Sequence, residues 1–182
     1  KPARERITEF KINWNIISWP GKAWAKRVFP NVSEEDAVKK LGDAIFHASR
    51  VTSDDPVAEW DNHNKNLREK TDWLNSMNFA SLHYDGPGTS LEVGLADDHE
   101  WMGGASESQN GVICNPNIPS EEVFTTPHAF KVNGKVCSTK PLSYQGTLIE
   151  NIQVEFKDGK IIDASSSKGE NVLLKVLDSD EG

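Results

Sequence analysis

The chain has 182 residues, a formal net charge of -8, 26% charged residues and 36% hydrophobic residues, with six Trp and seven Phe as bulky core candidates. That length suits one domain, or one domain and part of another, and the aromatic content is above what a disordered chain carries. An acidic chain without basic clusters argues against phosphate-backbone binding, and no stretch approaches the roughly 18 apolar residues that span a bilayer; the expectation is a soluble protein with neither nucleic acid nor membrane as partner. Residues 10–19 alternate and then run apolar, as a buried strand does, and Pro20-Gly21 ends that strand. Lys22 to Val28 reads as a short helix, whose Lys22, Lys26 and Arg27 form the densest basic group of the chain. Ser33 is an N-cap followed by Glu34, Glu35 and Asp36 at the positive end of a helix dipole. Ala37, Val38, Leu41, Ala44, Ile45 and Ala48 then keep helical spacing, with His47 and Arg50 in the last turn. These residues read as the end of an α/β layer with a parallel sheet, and the polar stretch 51–55 marks a domain boundary.

Pro56 suits a first helical position, and Val57, Trp60, Leu67, Leu74 and Met77 mark one side of a long helix to about residue 77. From residue 79 the pattern becomes β. Residues 79–84 and 89–95 read as strands around the Asp85-Gly-Pro-Gly88 turn, and 96–111 as an acidic, Gly/Ser-rich loop. Residues 112–114, 123–126, 129–132 and 136–139 follow as short strands, with Asn133-Gly134 and Asp158-Gly159 as hairpin turns. Ile152, Val154 and Phe156 alternate on the strand entering the second turn, and a helix opens after Gly169. The fold class is therefore α/β: residues 1–55 as the C-terminal part of a parallel-sheet domain, and 56–182 as the β-rich start of a second. The start on Lys-Pro-Ala-Arg-Glu-Arg shows no apolar region of a signal peptide; a charged start without Met reads as a truncated piece. Cys114 and Cys137 make no disulfide framework, so free, buried thiols in a reducing cytosolic setting are expected.

Few residues carry recognisable chemistry. None of the five histidines pairs at the i, i+4 spacing of a helical zinc motif, and none has a cysteine within a few residues. His83-Tyr84-Asp85 places an imidazole and a carboxylate on one strand face, as a metal pair would need, but Asp85 is better explained as the start of its turn. Asp97-Asp98-His99-Glu100 reads as a solvated loop. No G-x-S-x-G elbow, P-loop or G-x-G-x-x-G fingerprint is present, so nucleophilic catalysis and nucleotide binding have no support. The remaining candidate is the segment 115–127, in which Glu121-Glu122 follows a Pro-rich turn and precedes an apolar β stretch. One reading is an edge strand guarded by charge. The other is a ligand: if Val123 packs into the core, strand parity sends Glu122 the other way, to a surface or a cleft.

That segment, Asn117-Ile-Pro-Ser-Glu-Glu-Val-Phe-Thr-Thr-Pro127, closely resembles a signature of the thermophilic-type dinuclear metallo-aminopeptidases, the aminopeptidase T and aminopeptidase S family. Trp19-Pro20, Trp24-Ala25 and Val28-Phe29-Pro30 resemble its strand-turn-helix, and Trp60, His63, Leu67, Arg68 and Leu74-Asn75 its connecting helix. Phe79 with Leu82, Gly86-Pro-Gly-Thr89, and Leu91 with Val93-Gly-Leu95 resemble the strands that follow. The resemblance implies a cytosolic, homodimeric exopeptidase that removes N-terminal residues from peptides by means of two divalent metals, Zn²⁺, Co²⁺ or Mn²⁺. It implies that Glu122 is a metal ligand and that Glu121 is a supporting neighbour. The family's other ligands and its catalytic tyrosine fall after the matched motifs, so this chain is expected to be an incomplete, inactive portion of the enzyme. Two alternatives from other classes stand beside it: a non-catalytic binding module, or a dimerisation fragment in which Glu122 is a structural surface charge.

Overall fold

The computed structural model describes residues 2–179. Their elements in chain order are α1 (Pro2–Thr8), β1 (Ile16–Ile17), α2 (Lys22–Val28), α3 (Glu34–Ala48), α4 (Pro56–Met77), β2 (Ser81–Gly86), β3 (Thr89–Leu95), β4 (Met102–Gly103), β5 (Ser106–Glu107), β6 (Ile113–Cys114), β7 (Asn117–Ile118), β8 (Val123–Phe124), β9 (Pro127–Cys137), β10 (Leu142–Tyr144), β11 (Thr147–Ile149), β12 (Gln153–Lys157), β13 (Lys160–Ser165) and α5 (Glu170–Leu177). They form two compact units. The first takes the chain through Ser76 and then Trp101–Phe124; the second takes Met77–Glu100 and the described residues from Thr125 onward.

In the first unit, local signals set the helices. Ser33 Oγ accepts the Asp36 N–H at 3.0 Å, the N-cap bond its sequence predicts. Asp55 Oδ1 accepts the Ala58 N–H at 3.0 Å, and Pro56 takes the first helical position of α4. Ala25 of α2 closes onto Ala37 and Leu41 of α3, with Phe29, Val32, Val38 and Ile45 around them. Small residues at this contact let the two helices approach closely, which is why a modest apolar count still makes a core. On α4 the buried positions are Leu67 and Thr71, whereas Val57 and Met77, expected on the same apolar side, are exposed at the two ends.

The strand expected over 10–19 shrinks to β1, whose Ile16 and Ile17 are 60% and 63% exposed. Phe10, Ile12 and Trp14 keep the alternating partial burial that the pattern predicts, but they are not in a ladder. Phe10 has φ +53, and its carbonyl accepts the Gln109 N–H at 2.9 Å, so a loop rather than a strand satisfies this backbone. β1 pairs in parallel with β7, Ile16 opposite Asn117, and this two-residue contact is the one parallel pairing among the described residues. The remaining ladders are antiparallel, so the parallel sheet expected within the first 55 residues is represented there only by β1.

The second unit is built on a five-stranded antiparallel sheet in the order β13-β12-β9-β3-β2. The β2–β3 hairpin forms as expected, Gly86 facing Thr89. The Asn133-Gly134 hairpin turn does not form. Residues 127–137 are one continuous central strand, with Gly134 opposite Leu91 on one side and Phe156 on the other. A Cβ on Gly134 would lie 2.2 Å from the Ser90 carbonyl oxygen, and its φ is +112. The glycine therefore serves a close strand approach and not a reversal. Asp158-Gly159 does reverse the chain between β12 and β13, with φ +51 and +82. The β10–β11 hairpin, carried by Gln145 (φ +47) and Gly146 (φ +83), has no counterpart in the sequence reading. Ile149 of β11 and Leu173 of α5 are buried, and Cys114 and Cys137 are free but only half-buried. Among the described residues no helix is long and apolar enough to cross a membrane.

Candidate metal-ligand site

Glu121 and Glu122 sit just before β8, on a stretch that three elements of the first unit hold in place. Ser49 caps the C-terminus of α3, and the turn beyond it is closed by Arg50 N–H to the His47 carbonyl at 3.1 Å and Val51 N–H to the Phe46 carbonyl at 3.2 Å. This double closure normally places glycine at the left-handed position. Here Arg50 occupies it with φ +59. From that strained position its guanidinium makes a fork onto Glu121: Nη2 donates to Oε2 at 3.0 Å, and Nη1 donates to Oε1. The guanidinium also lies 5.5 Å from the centre of the Trp60 ring, while Trp60 Nε1 donates to the Ser49 carbonyl at 2.9 Å. Trp60 thus ties α4 to the end of α3 at the point where Arg50 leaves the helix.

One helical turn along α4, His63 meets Trp60 edge to face at 5.4 Å and donates from Nε2 to the Ser120 carbonyl at 2.6 Å. The same nitrogen is 3.7 Å from Glu121 Oε2. Ser120 itself is buried. From the other side, β4 pairs with β8, Gly103 opposite Val123. A Cβ at Gly103 would come within 2.8 Å of the Glu122 carbonyl oxygen, so only glycine allows this approach. The Arg50 guanidinium beside it holds the Glu121 carboxyl below the usual carboxylate range, and Glu121 in turn raises Arg50.

The two neighbouring glutamates therefore differ. Glu121 is committed to Arg50, whereas the exposed Glu122 side chain makes one hydrogen bond, accepting the Glu121 N–H at 3.2 Å, and has no cation within ion-pair distance among the described residues. The expected parity holds: Val123 and Thr125 are half-buried, and Glu122 and Phe124 are exposed. A divalent cation needs several convergent donors. Among the described residues no three His, Cys, Asp or Glu side chains converge in that way, so this span supplies a carboxylate donor but does not fit a metal by itself. His83 is paired across the hairpin with Glu92 at 3.7 Å, and Asp85 accepts from Ser90 Oγ at 3.2 Å, which makes them cross-strand partners rather than a joint site.

Arg50, Trp60 and His63 are the residues whose role at this site the sequence reading missed. Trp60 was legible as part of the apolar side of a long helix, Trp60 and His63 as part of a family-like helix motif, and Arg50 only as a cation in a last turn.

Comparison with known proteins places the chain in a family. A family model described as thermophilic metalloprotease (M29) matches residues 1–182, and the chain belongs to that family. It is 49% identical over 182 residues to "Aminopeptidase T" of Thermus thermophilus, covering 100% of this chain and 45% of that protein. It is 44% identical over 179 residues to "Aminopeptidase AmpS" of Bacillus subtilis, covering 98% and 44% respectively. The solved structure "Wild-type AmpT from Thermus thermophilus" matches with a TM-score of 0.92 at 48% identity, over 100% of this chain and 44% of that one. The chain thus spans less than half the length of these relatives.

Proposed function

We propose that this chain is part of a metal-dependent aminopeptidase that releases N-terminal amino acids from peptides, and that Glu122 is one of its metal ligands. The observation that carries the assignment is the division of labour between two adjacent carboxylates. Arg50 occupies Glu121, while Glu122 stands at the head of β8 with an exposed carboxylate and no ionic partner among the described residues. The family and the named aminopeptidases among the relatives support the reaction class. In this reading residues 1–55 belong to the enzyme's N-terminal α/β domain and 56–182 to the start of its catalytic domain. The other ligands come from residues outside this span, and the enzyme is a cytoplasmic homodimer using two divalent ions, Zn²⁺, Co²⁺ or Mn²⁺.

The test is metal content and leucyl-peptide hydrolysis of the full-length protein, wild type against Glu122→Gln, with cobalt or zinc supplied. The expected result is loss of activity by at least about 100-fold, together with about one metal equivalent. Retained activity and full metal stoichiometry would leave Glu122 as an edge-strand charge and return the chain to a binding or dimerisation role.

A further inference from the structure

We propose that Asn110 is a site of spontaneous deamidation, reacting through the main-chain nitrogen of Gly111 and then with water, and that the fold directs this chemistry to Asn110 and away from Asn133. The sequence holds two Asn-Gly pairs, 110–111 and 133–134. In such a pair the glycine nitrogen can close on the asparagine Cγ, because the glycine carries no Cβ to hinder the approach. The main-chain nitrogen bonds to Cγ while the bond from Cγ to the side-chain nitrogen breaks. The main-chain proton passes to solvent base, the side-chain nitrogen leaves as ammonia, and a cyclic imide remains. Water then opens the imide at either carbonyl, giving aspartate or isoaspartate and adding a negative charge.

The two pairs stand in opposite surroundings. Gly134 lies in the central strand β9, opposite Leu91 of β3 on one side and Phe156 of β12 on the other. Freeing its backbone means parting three strands, and Asn133 Oδ1 is held by the Asp158 N–H at 2.8 Å. Asn110 and Gly111 are exposed, in the turn between β5 and β6, which the Gly111 N–H closes onto the Ser108 carbonyl at 2.8 Å. Opening an exposed turn costs far less than parting a central strand. The space around Gly111 is clear, with nothing within 4 Å of where a Cβ would lie. The buried Ser108 hydroxyl donates to Asn110 Oδ1 at 2.5 Å and lies 2.8 Å from the Val112 carbonyl. At Oδ1 it stabilises the negative charge that this oxygen gathers as the nitrogen attacks. The reaction also has a structural consequence, because this turn clasps residues 9–13. The Gln109 N–H donates to the Phe10 carbonyl and Gln109 Nε2 to the Glu9 carbonyl, both at 2.9 Å, and Asn110 Nδ2 donates to Asn13 Oδ1 at 3.4 Å. Aspartate at position 110 replaces that last donor with a carboxylate facing the Asn13 oxygen, and isoaspartate lengthens the main chain inside the turn. Either product loosens the clasp.

The experiment incubates full-length protein, wild type and Gly111→Ala, at mildly alkaline pH, both folded and in denaturant, and follows each asparagine by peptide mass mapping. In folded wild type, Asn110 is expected to deamidate at least about 10-fold faster than Asn133. In denaturant the two pairs are expected to react at similar rates. Gly111→Ala is expected to slow the loss at Asn110, since its methyl group hinders the attacking nitrogen. Asn110 keeping its amide in the folded protein, or losing it no faster than Asn133, overturns the inference. A folded-state ratio that persists in denaturant also overturns it, because sequence neighbours and not the fold would then set the rates. An unchanged rate at Asn110 in folded Gly111→Ala overturns the route through the main-chain nitrogen; if that variant does not fold, the comparison of folded and denatured wild type decides alone. Hydrogen exchange at the Gln109 amide reads the clasp: faster exchange in the deamidated fraction is expected, and unchanged exchange overturns the loosening.

Discussion

At Gly134 the backbone of the central strand comes so near its neighbour that an added methyl would lie 2.2 Å from the Ser90 carbonyl oxygen and 3.1 Å from Leu91 Cα. Both are main-chain atoms, so no side chain can turn aside, and φ +112 adds conformational strain for any L residue. Gly134→Ala is expected to destabilise by about 3 kcal/mol or more in denaturant unfolding. Gly86→Ala, in the same sheet with nothing within 4 Å of its added Cβ, is expected to cost no more than about 1 kcal/mol. A similar loss for both would mean that the close approach is not what requires glycine at 134. This residue also marks a limit of sequence reading. Asn133-Gly134 and Asp158-Gly159 carry the same turn signature, yet only the second turns. The dipeptide announces permissive backbone, and it is the tertiary partner, here β3, that decides whether the permission serves reversal or proximity. The Glu121–Glu122 pair teaches the same point: the parity of Glu122 follows from the strand period, but the Arg50 fork that occupies Glu121 crosses 71 positions and leaves no local trace.

Helix α4 organises the loops of its unit through two amides about three turns apart. Asn64 and Asn115 exchange two side-chain hydrogen bonds at 2.9 Å, and Asn64 Oδ1 also accepts the Ala105 N–H at 3.1 Å. Farther along, Asn75 Oδ1 accepts the Trp101 N–H at 2.7 Å and its amide donates to the Trp101 carbonyl at 3.1 Å. With His63 holding Ser120, one helix satisfies three separate stretches of irregular backbone, which otherwise would lack partners. Asn64→Ala removes the middle of this set and takes away the Asn64 partner of the Asn115 side-chain amide and of the Ala105 N–H. It is expected to destabilise by about 1–3 kcal/mol and to speed hydrogen exchange at the Ala105 amide; unchanged protection there would show that water replaces Asn64 without loss. The elements that were legible in advance are those whose ends are written locally: Ser33 before α3, Asp55-Pro56 before α4, the Gly-Pro-Gly turn between β2 and β3. The ones that were not, β4, β5 and β7, are too short to show a period and are defined by partners elsewhere in the sequence.

The molecule's two compact units interleave along the chain, since β2 and β3 leave the first unit after Ser76 and the chain returns to it at Trp101. Family membership was readable because the matching motifs run in order from Trp19 to Leu95 and again through 117–127, whereas the ligand set was not, because only one proposed donor lies in this span. That asymmetry yields a prediction for the 182-residue chain on its own. Oxygen sites assembled from many ligands can be as weak as about 10⁻³ M, so a single carboxylate is expected to bind no tighter than that. At about 1 mM cobalt the added stability is then at most about 0.4 kcal/mol, since one ligand concentration equal to the dissociation constant contributes RT ln 2. For a chain of this size, that corresponds to a melting shift of roughly 1–2 °C. Leucyl-peptide hydrolysis by the same sample is expected to stay at the level of buffer with metal. A shift of more than about 5 °C that disappears in Glu122→Gln would require further donors within these residues, beyond a lone carboxylate. Peptide hydrolysis that tracks the pure chain and is lost in Glu122→Gln would place a working site in this span, against its assignment as an incomplete portion of the enzyme.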